Sequence, residues 1–158
     1  MEKSIRILST KKLQPNQKQF LLNADFGLIE ADFIQIEFQK IRLDATFDYL
    51  IFTSQNAVLS VLENENHLIL KKKSCFCVGI KTKQLLEENG FNVVAYTGYA
   101  ADLAEIITLI YGSESFTFFS GNMRRDTLPE ALKENGIKFN EIEVYETTLQ
   151  PQKLKANP

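Results

Sequence analysis

Five short stretches of this chain place hydroxyl, amide and small side chains where an apolar run stops: Ser9-Thr10-Lys11, Thr53-Ser54-Gln55-Asn56, Gly79-Ile80-Lys81-Thr82, Thr97-Gly98-Tyr99 and Ser120-Gly121-Asn122. A loop of small residues that opens a helix leaves several backbone N–H groups unpaired and pointing at one spot, and such a spot suits an anion. Each loop alone is read first as helix capping. Together they favour a ligand with several anionic groups. Arg124 and Arg125, read as the first turn of a helix, would stand where the helix dipole disfavours cations, which predicts an acidic neighbour or a ligand for at least one of them. Nucleophilic and metal chemistry find little support. The chain has no Walker loop, GxGxxG, GxSxG, HExxH or CxxC, and its single histidine, His67, lies in a polar stretch.

The elements that must carry these loops alternate strand and helix. The clearest unit runs from Ser115 to Tyr145: Phe116 to Phe119 is a short apolar run stopped by Ser120-Gly121-Asn122. A helix follows, with Leu128, Ala131, Leu132 and Asn135 at helical spacing. Asp126 and Glu130 sit toward its positive end and Lys133 in its last turn. Gly136 is placed as the left-handed cap, and Ile142 and Val144 resume a strand. The same Glu-Asn-Gly ending closes the helix that opens near Lys81 and stops at Asn89, before Phe91-Asn92-Val93-Val94.

Further strands are expected at Ile5–Leu8, across Leu28–Phe38, at Asp48–Phe52, at Cys75–Val78 and at Val93–Tyr96. Helices are expected from Leu13 to Asp25, with Phe20, Leu21 and Ala24 inward, and after Thr53, capped by Ser54 and running through Ala57, Val58, Val61 and Leu62. A further helix spans Ala100 to Tyr111, with Leu103, Ile106, Ile107 and Ile110 inward. The lysines 71 to 73 read as a solvated turn. Short connections between alternating strands and helices argue an α/β fold with mainly parallel sheets. In such a sheet the carboxyl ends of the strands share one rim, so the five loops should line one cleft.

The chain has 158 residues and a formal net charge of −2, enough for one domain with a core, or one domain and part of another. No dense basic stripe is present, which argues against nucleic acid as a partner. Cys75 and Cys77 share one strand face and cannot easily bridge, so both are read as reduced core residues. No secretory leader and no apolar run of spanning length is visible, which makes the cytoplasm the expected compartment and a membrane an unexpected partner.

In order and spacing, Phe52-Thr53-Ser54-Gln55-Asn56-Ala57-Val58, Val78-Gly79-Ile80-Lys81-Thr82, Phe119-Ser120-Gly121-Asn122-Met123-Arg124-Arg125-Asp126-Thr127-Leu128-Pro129 and Val144-Tyr145-Glu146-Thr147 resemble the uroporphyrinogen-III synthase family. The resemblance implies two α/β domains with parallel sheets flanked by helices and joined by a two-stranded ribbon. One is discontinuous, residues 1–37 with 148–158; the other is residues 38–147. It implies a cofactor-free lyase of tetrapyrrole (haem) biosynthesis, in which linear hydroxymethylbilane loses its terminal hydroxyl, inverts ring D through a spiro intermediate and closes to the macrocycle. That substrate cyclises unaided to the symmetric isomer, so the protein must mainly fold it, hold its eight carboxylates and help a hydroxyl depart. Tyr145 is the implied catalytic residue. Thr10, Lys11, Thr53, Ser54, Gly79, Lys81, Thr82, Ser120, Gly121, Asn122 and Arg124 are the expected substrate-binding residues.

Members of that family continue beyond a tail of this kind, so the first domain is expected to be incomplete in a chain ending at Pro158. Such a chain is expected to self-associate through its amino-terminal unit or keep that unit mobile, and to lack activity while the middle domain stays folded. The alternative from another class is a non-catalytic flavodoxin- or receiver-like module using the same rim for a small anionic ligand.

Overall fold

The computed structural model of the chain describes residues 6–9, 27–30 and 34–149. The chain divides into two compact units, Met1–Ile36 with Thr147–Pro158, and Glu37–Glu146. In the first unit, β1 (Arg6–Ser9) and β2 (Gly27–Glu30) pair in parallel, with Ile7 opposite Leu28 and Leu8 opposite Ile29. The stretch Leu28–Phe38, read from sequence as one strand region, contributes to two sheets. Its far part forms β3 (Ile34–Phe38), an edge strand of a six-stranded sheet. The expected helix from Leu13 to Asp25, with Thr10, Lys11 and the tail from Pro151, lies outside the described residues.

The second unit is built on β4 (Tyr49–Phe52), β5 (Ser74–Val78), β6 (Asn92–Thr97), β7 (Ser115–Gly121) and β8 (Lys138–Leu149), alternating with α1 (Gln55–Leu62), α2 (Ile80–Glu88), α3 (Ala100–Ile110) and α4 (Thr127–Glu134). The sheet order is β3-β8-β7-β4-β5-β6, and the pairs β4–β5, β5–β6, β4–β7 and β7–β8 are parallel. Chain order thus runs outward from β4 through β5 to β6, then returns to the other side of β4. Between β4 and β7 the winding reverses, which in open α/β sheets is where a crevice opens at the carboxyl edge.

Alternation along the central strands divides the core into two layers. Leu50, Phe52, Cys75, Cys77, Phe119 and Val144 face one side and pack with Ala57, Val58 and Val61 of α1 and Leu86 of α2. Ile51, Phe76, Phe116 and Phe118 face the other and pack with Leu103, Ala104 and Ile107 of α3 and Leu128 and Leu132 of α4. The apolar run at 116–119 is therefore continuous because both of its faces are covered. Ring contacts reinforce each layer, Phe52 stacking on Phe119 at 5.0 Å and Phe76 meeting Phe116 edge-on at 5.5 Å.

Helix signals hold in detail. Ser54 caps α1 by accepting from the Ala57 N–H, and Gly90 and Gly136 take φ of +82° and +68° directly after Asn89 and Asn135. Other expectations need correction. Ile110 is 69 % exposed rather than inward. The helix ends there, and the inward place is taken by Tyr111, whose ring meets Phe76 at 4.9 Å. Of lysines 71 to 73, read as a solvated turn, Lys72 is exposed but Lys73 is engaged. His67–Lys72 is a 3-10 helix, and the Lys73 ammonium donates to the Thr46 carbonyl, the Thr46 hydroxyl and the Phe47 carbonyl, tying this connection to the entry of β4. Ser120 and Gly121 belong to β7 rather than to the loop after it, and Arg124 and Arg125 precede α4, whose cap position is Asp126. Asp126 rather than an arginine holds the cap, where an acidic side chain suits the positive end of the helix dipole.

Candidate functional site

The crevice at the reversal between β4 and β7 is a cleft of about 310 Å³ within the second unit. The beginnings of three helices border it: Thr53 and Ser54 before α1, Gly98 and Tyr99 before α3, and Arg124, Arg125 and Thr127 around the start of α4. Val78, Phe118 and Leu128 form its apolar wall. Ser54 already satisfies the start of α1. At α3 and α4 the cap residues Tyr99 and Asp126 make no side-chain cap bond; helix-start N–H groups of this kind suit an anion, and at α4, where Pro129 has none, they are those of Thr127 and Leu128.

Tyr145 reaches this cleft through an irregularity in β8. Phe119 and Ser120 lie opposite Ile142 and Glu143, but Gly121 lies opposite Tyr145, so Val144 and Tyr145 together face one residue of β7. Such a bulge re-aims a side chain. Val144 stays buried, its carbonyl accepting from the Ser60 hydroxyl and from the Gln39 N–H. Tyr145 leans over Gly121. A Cβ on Gly121 would stand 2.4 Å from Cζ, 2.6 Å from Cε2 and 2.8 Å from Oη of the tyrosine. Only a residue without a Cβ leaves the ring that place. The phenol oxygen accepts a hydrogen bond from the Ser54 hydroxyl at 3.1 Å.

Arg124 has acidic neighbours, the outcome expected for at least one of the two arginines, although it precedes α4 rather than standing in its first turn. Its Nε donates to Glu141 and its NH1 to Asp126, and the hydrogen bond to Glu141 raises the guanidinium's already high pKa. Glu141 also accepts from the buried Ser120 hydroxyl at 2.7 Å. With two carboxylates on it, Arg124 offers the cleft little net charge. Arg125 lines the same cleft, and among the described residues no carboxylate pairs with it.

Of the residues singled out from sequence, Thr53, Ser54, Gly121, Arg124 and Tyr145 come together around this cleft. Gly79, Lys81 and Thr82 stand at the next strand end. Gly79 takes φ +95° and its N–H donates to the Thr97 carbonyl at 2.8 Å, Lys81 is exposed, and Thr82 is buried. Ser120 lies beneath the cleft on Glu141, and the Asn122 N–H is taken by the Tyr145 carbonyl at 3.2 Å. Tyr99, Arg125 and Thr127 line the cleft without having been picked out as binding residues. His67 is engaged elsewhere, with Nδ1 at 2.7 Å from the Asn64 carbonyl oxygen. Burial pushes the Cys75 thiol up to about 12, with Cys77 adding to it, and the Cys77 thiol up to about 11.

Fold and cleft together define a doubly wound α/β domain with the phenol of Tyr145 held at a cleft on its rim. A family model described as uroporphyrinogen-III synthase HemD matches residues 21–157, and the chain belongs to that family. The uroporphyrinogen-III synthase of Saccharomyces cerevisiae is 30 % identical over 119 residues, 65 % of this chain and 43 % of that protein. The crystal structure of the Helicobacter pylori uroporphyrinogen-III synthetase matches with a TM-score of 0.70 at 22 % identity, covering 96 % of this chain and 65 % of that one. A mutant uroporphyrinogen III synthase from the extremely thermophilic bacterium Thermus thermophilus matches with a TM-score of 0.67 at 16 % identity, covering 93 % and 64 %. Both structural likenesses concern the fold. The chain thus spans under half the length of the yeast relative and just under two thirds of the two bacterial ones.

Proposed function

We propose that this chain carries the phenol-bearing cleft of a uroporphyrinogen-III synthase, which closes hydroxymethylbilane to uroporphyrinogen III with loss of water. The observation that carries the reading is Tyr145, held by Gly121 and Ser54 at a cleft edged by three helix starts. Substrate carboxylates suit the N–H groups opening α3 and α4 and the Arg125 guanidinium. As the C–O bond to the terminal hydroxyl breaks, its electron pair goes to oxygen, and the Tyr145 proton completes the departing water. Nothing in this step needs a nucleophile of the protein. The remaining work is to hold a flexible chain in the one fold that leads to the inverted ring. With two buried thiols in its core, the protein is proposed to act in the cytoplasm.

The test is incubation of a full-length version of the protein, spanning both domains, with hydroxymethylbilane and chromatographic separation of the oxidised products. A predominance of the type III isomer is expected; a mixture matching the spontaneous type I product overturns the proposal. Tyr145→Phe should lower kcat by about 100-fold or more with a smaller change in KM, because the phenol proton acts in the transition state. Full turnover in that variant would reduce Tyr145 to a packing residue.

A further inference from the structure

The Ser54 hydroxyl is engaged on both sides. Its Oγ accepts from the Ala57 N–H at 3.2 Å and donates to the Tyr145 oxygen at 3.1 Å. A serine hydroxyl carries one proton, so that proton is spent on the tyrosine. The phenol oxygen, having accepted it, keeps its own proton for an acceptor in the cleft. We propose that Ser54 is a positioning residue that fixes Tyr145 as a hydrogen-bond donor into the cleft, rather than a contact for a substrate carboxylate. This rests on the reading of Tyr145 as the group that assists the leaving hydroxyl.

The geometry supplies two further reasons. The hydrogen bonds run one way, from the Ala57 N–H to Ser54, from Ser54 to Tyr145, and from Tyr145 outward, and donors in series polarise one another. The series begins at the start of α1, the positive end of that helix. The ring itself has little freedom to turn from this partner. Its Cζ and Cε2 lie against the bare Cα side of Gly121, and its backbone carbonyl is held by the Asn122 N–H. Ser54 thus sets what the phenol donates to, while Gly121 sets where the ring lies.

Capping and positioning are separable by chemistry. Aspartate starts helices as well as serine does, but an ionised carboxylate only accepts. In Ser54→Asp it would draw the phenol proton to itself and away from the cleft. Three variants, Ser54→Asp, Ser54→Ala and Ser54→Thr, are compared in the full-length version of the protein for denaturant midpoint and for kcat and KM of type III isomer formation. Ser54→Asp is expected to keep the wild-type midpoint, lose about 100-fold in kcat and change KM far less, whereas Ser54→Thr keeps kcat within about threefold. Should Ser54→Asp not fold, Ser54→Gly, a tolerated cap without a donor, takes its place.

A second readout does not depend on turnover. In protein labelled with 13C-tyrosine, the Tyr145 Cζ resonance is assigned by its loss in Tyr145→Phe. It should move in Ser54→Asp and Ser54→Ala and stay in place in Ser54→Thr. A stable Ser54→Asp protein with undiminished kcat overturns the positioning role, and so does a Cζ resonance indifferent to all three substitutions. Absence of type III product from the unsubstituted protein would instead refute the proposed function, and the resonance would then decide the positioning by itself.

Discussion

Replacing Gly121 by alanine tests how the phenol is held. The backbone at this position is not in the left-handed region, so the cost of a side chain comes from what it meets. A methyl carbon there would stand 2.4 Å from Cζ of Tyr145, against an ordinary carbon–carbon separation of about 3.5–4 Å. The ring must therefore retreat by roughly 1 Å or more. Its bond with Ser54, at 3.1 Å, does not survive a retreat of that size. Overpacking of this kind costs about 1–3 kcal/mol, and the lost hydrogen bond adds about 0.5–1.5 kcal/mol. A stability loss of about 2–4 kcal/mol is expected from denaturant unfolding. In a Tyr145→Ala background the same substitution meets no ring and should be neutral or stabilising by about 0.5 kcal/mol, since alanine loses less backbone entropy than glycine on folding. If Gly121→Ala is as costly without the tyrosine as with it, the contact between them is not what the glycine serves.

Two other perturbations probe the frame around the site. Thr117, fully buried, accepts from the Phe47 N–H at 2.8 Å and donates to the Asn140 side chain at 2.7 Å. Thr117→Val keeps the shape but strands both partners and should cost about 1–3 kcal/mol in denaturant unfolding, with Thr117→Ser markedly milder. The cysteine pair sets a pH dependence. Both thiols ionise at about 11 and 12 in the folded chain against an ordinary value of 9.0, so between those values the unfolded chain has released protons that the folded chain retains. The stability contribution is complete below about pH 9 and falls as pH rises toward 11–12. A Cys75→Ala/Cys77→Ala protein should lose stability less steeply over that window in equilibrium unfolding. An unchanged slope would show that the thiols are not desolvated.

What the sequence conveyed well was local. The Ser54 cap, the Asn-Gly helix ends at 89–90 and 135–136, and the facing of Cys75 and Cys77 depend on a few neighbouring residues, and each is found in place. The misplaced residues depend on partners far along the chain. Ile110 satisfies the helical spacing, yet the helix stops there and Tyr111 covers Phe76 instead. Lys73 reads as solvated until the carbonyls of Thr46 and Phe47 are brought to it. The rim of strand-end loops was legible as a set, but not which loops border one crevice. That follows from β7 lying beside β4 on the side away from β5, a matter of strand order that no spacing records. The same blindness explains Tyr99 and Arg125. Each stands in a stretch already noted, and neither could be given a cleft to line.

The return of the chain across β4 also bears on the order in which the molecule comes into being. β4, β5 and β6 meet their neighbours in sequence order, closing short loops as they form. β7 follows only after two more strands and three helices, and must come back to the other edge of β4, pairing Tyr49 with Phe116 and Phe52 with Phe119. Contacts so distant along the chain are slow to form. During synthesis, the edge of β4 therefore waits unpaired while the first three strands assemble, and the cleft does not exist until β7 closes over it. A chain halted or misfolded at that stage would hold a partly built sheet with one open apolar strand edge and no binding rim, a species prone to pair with its own kind.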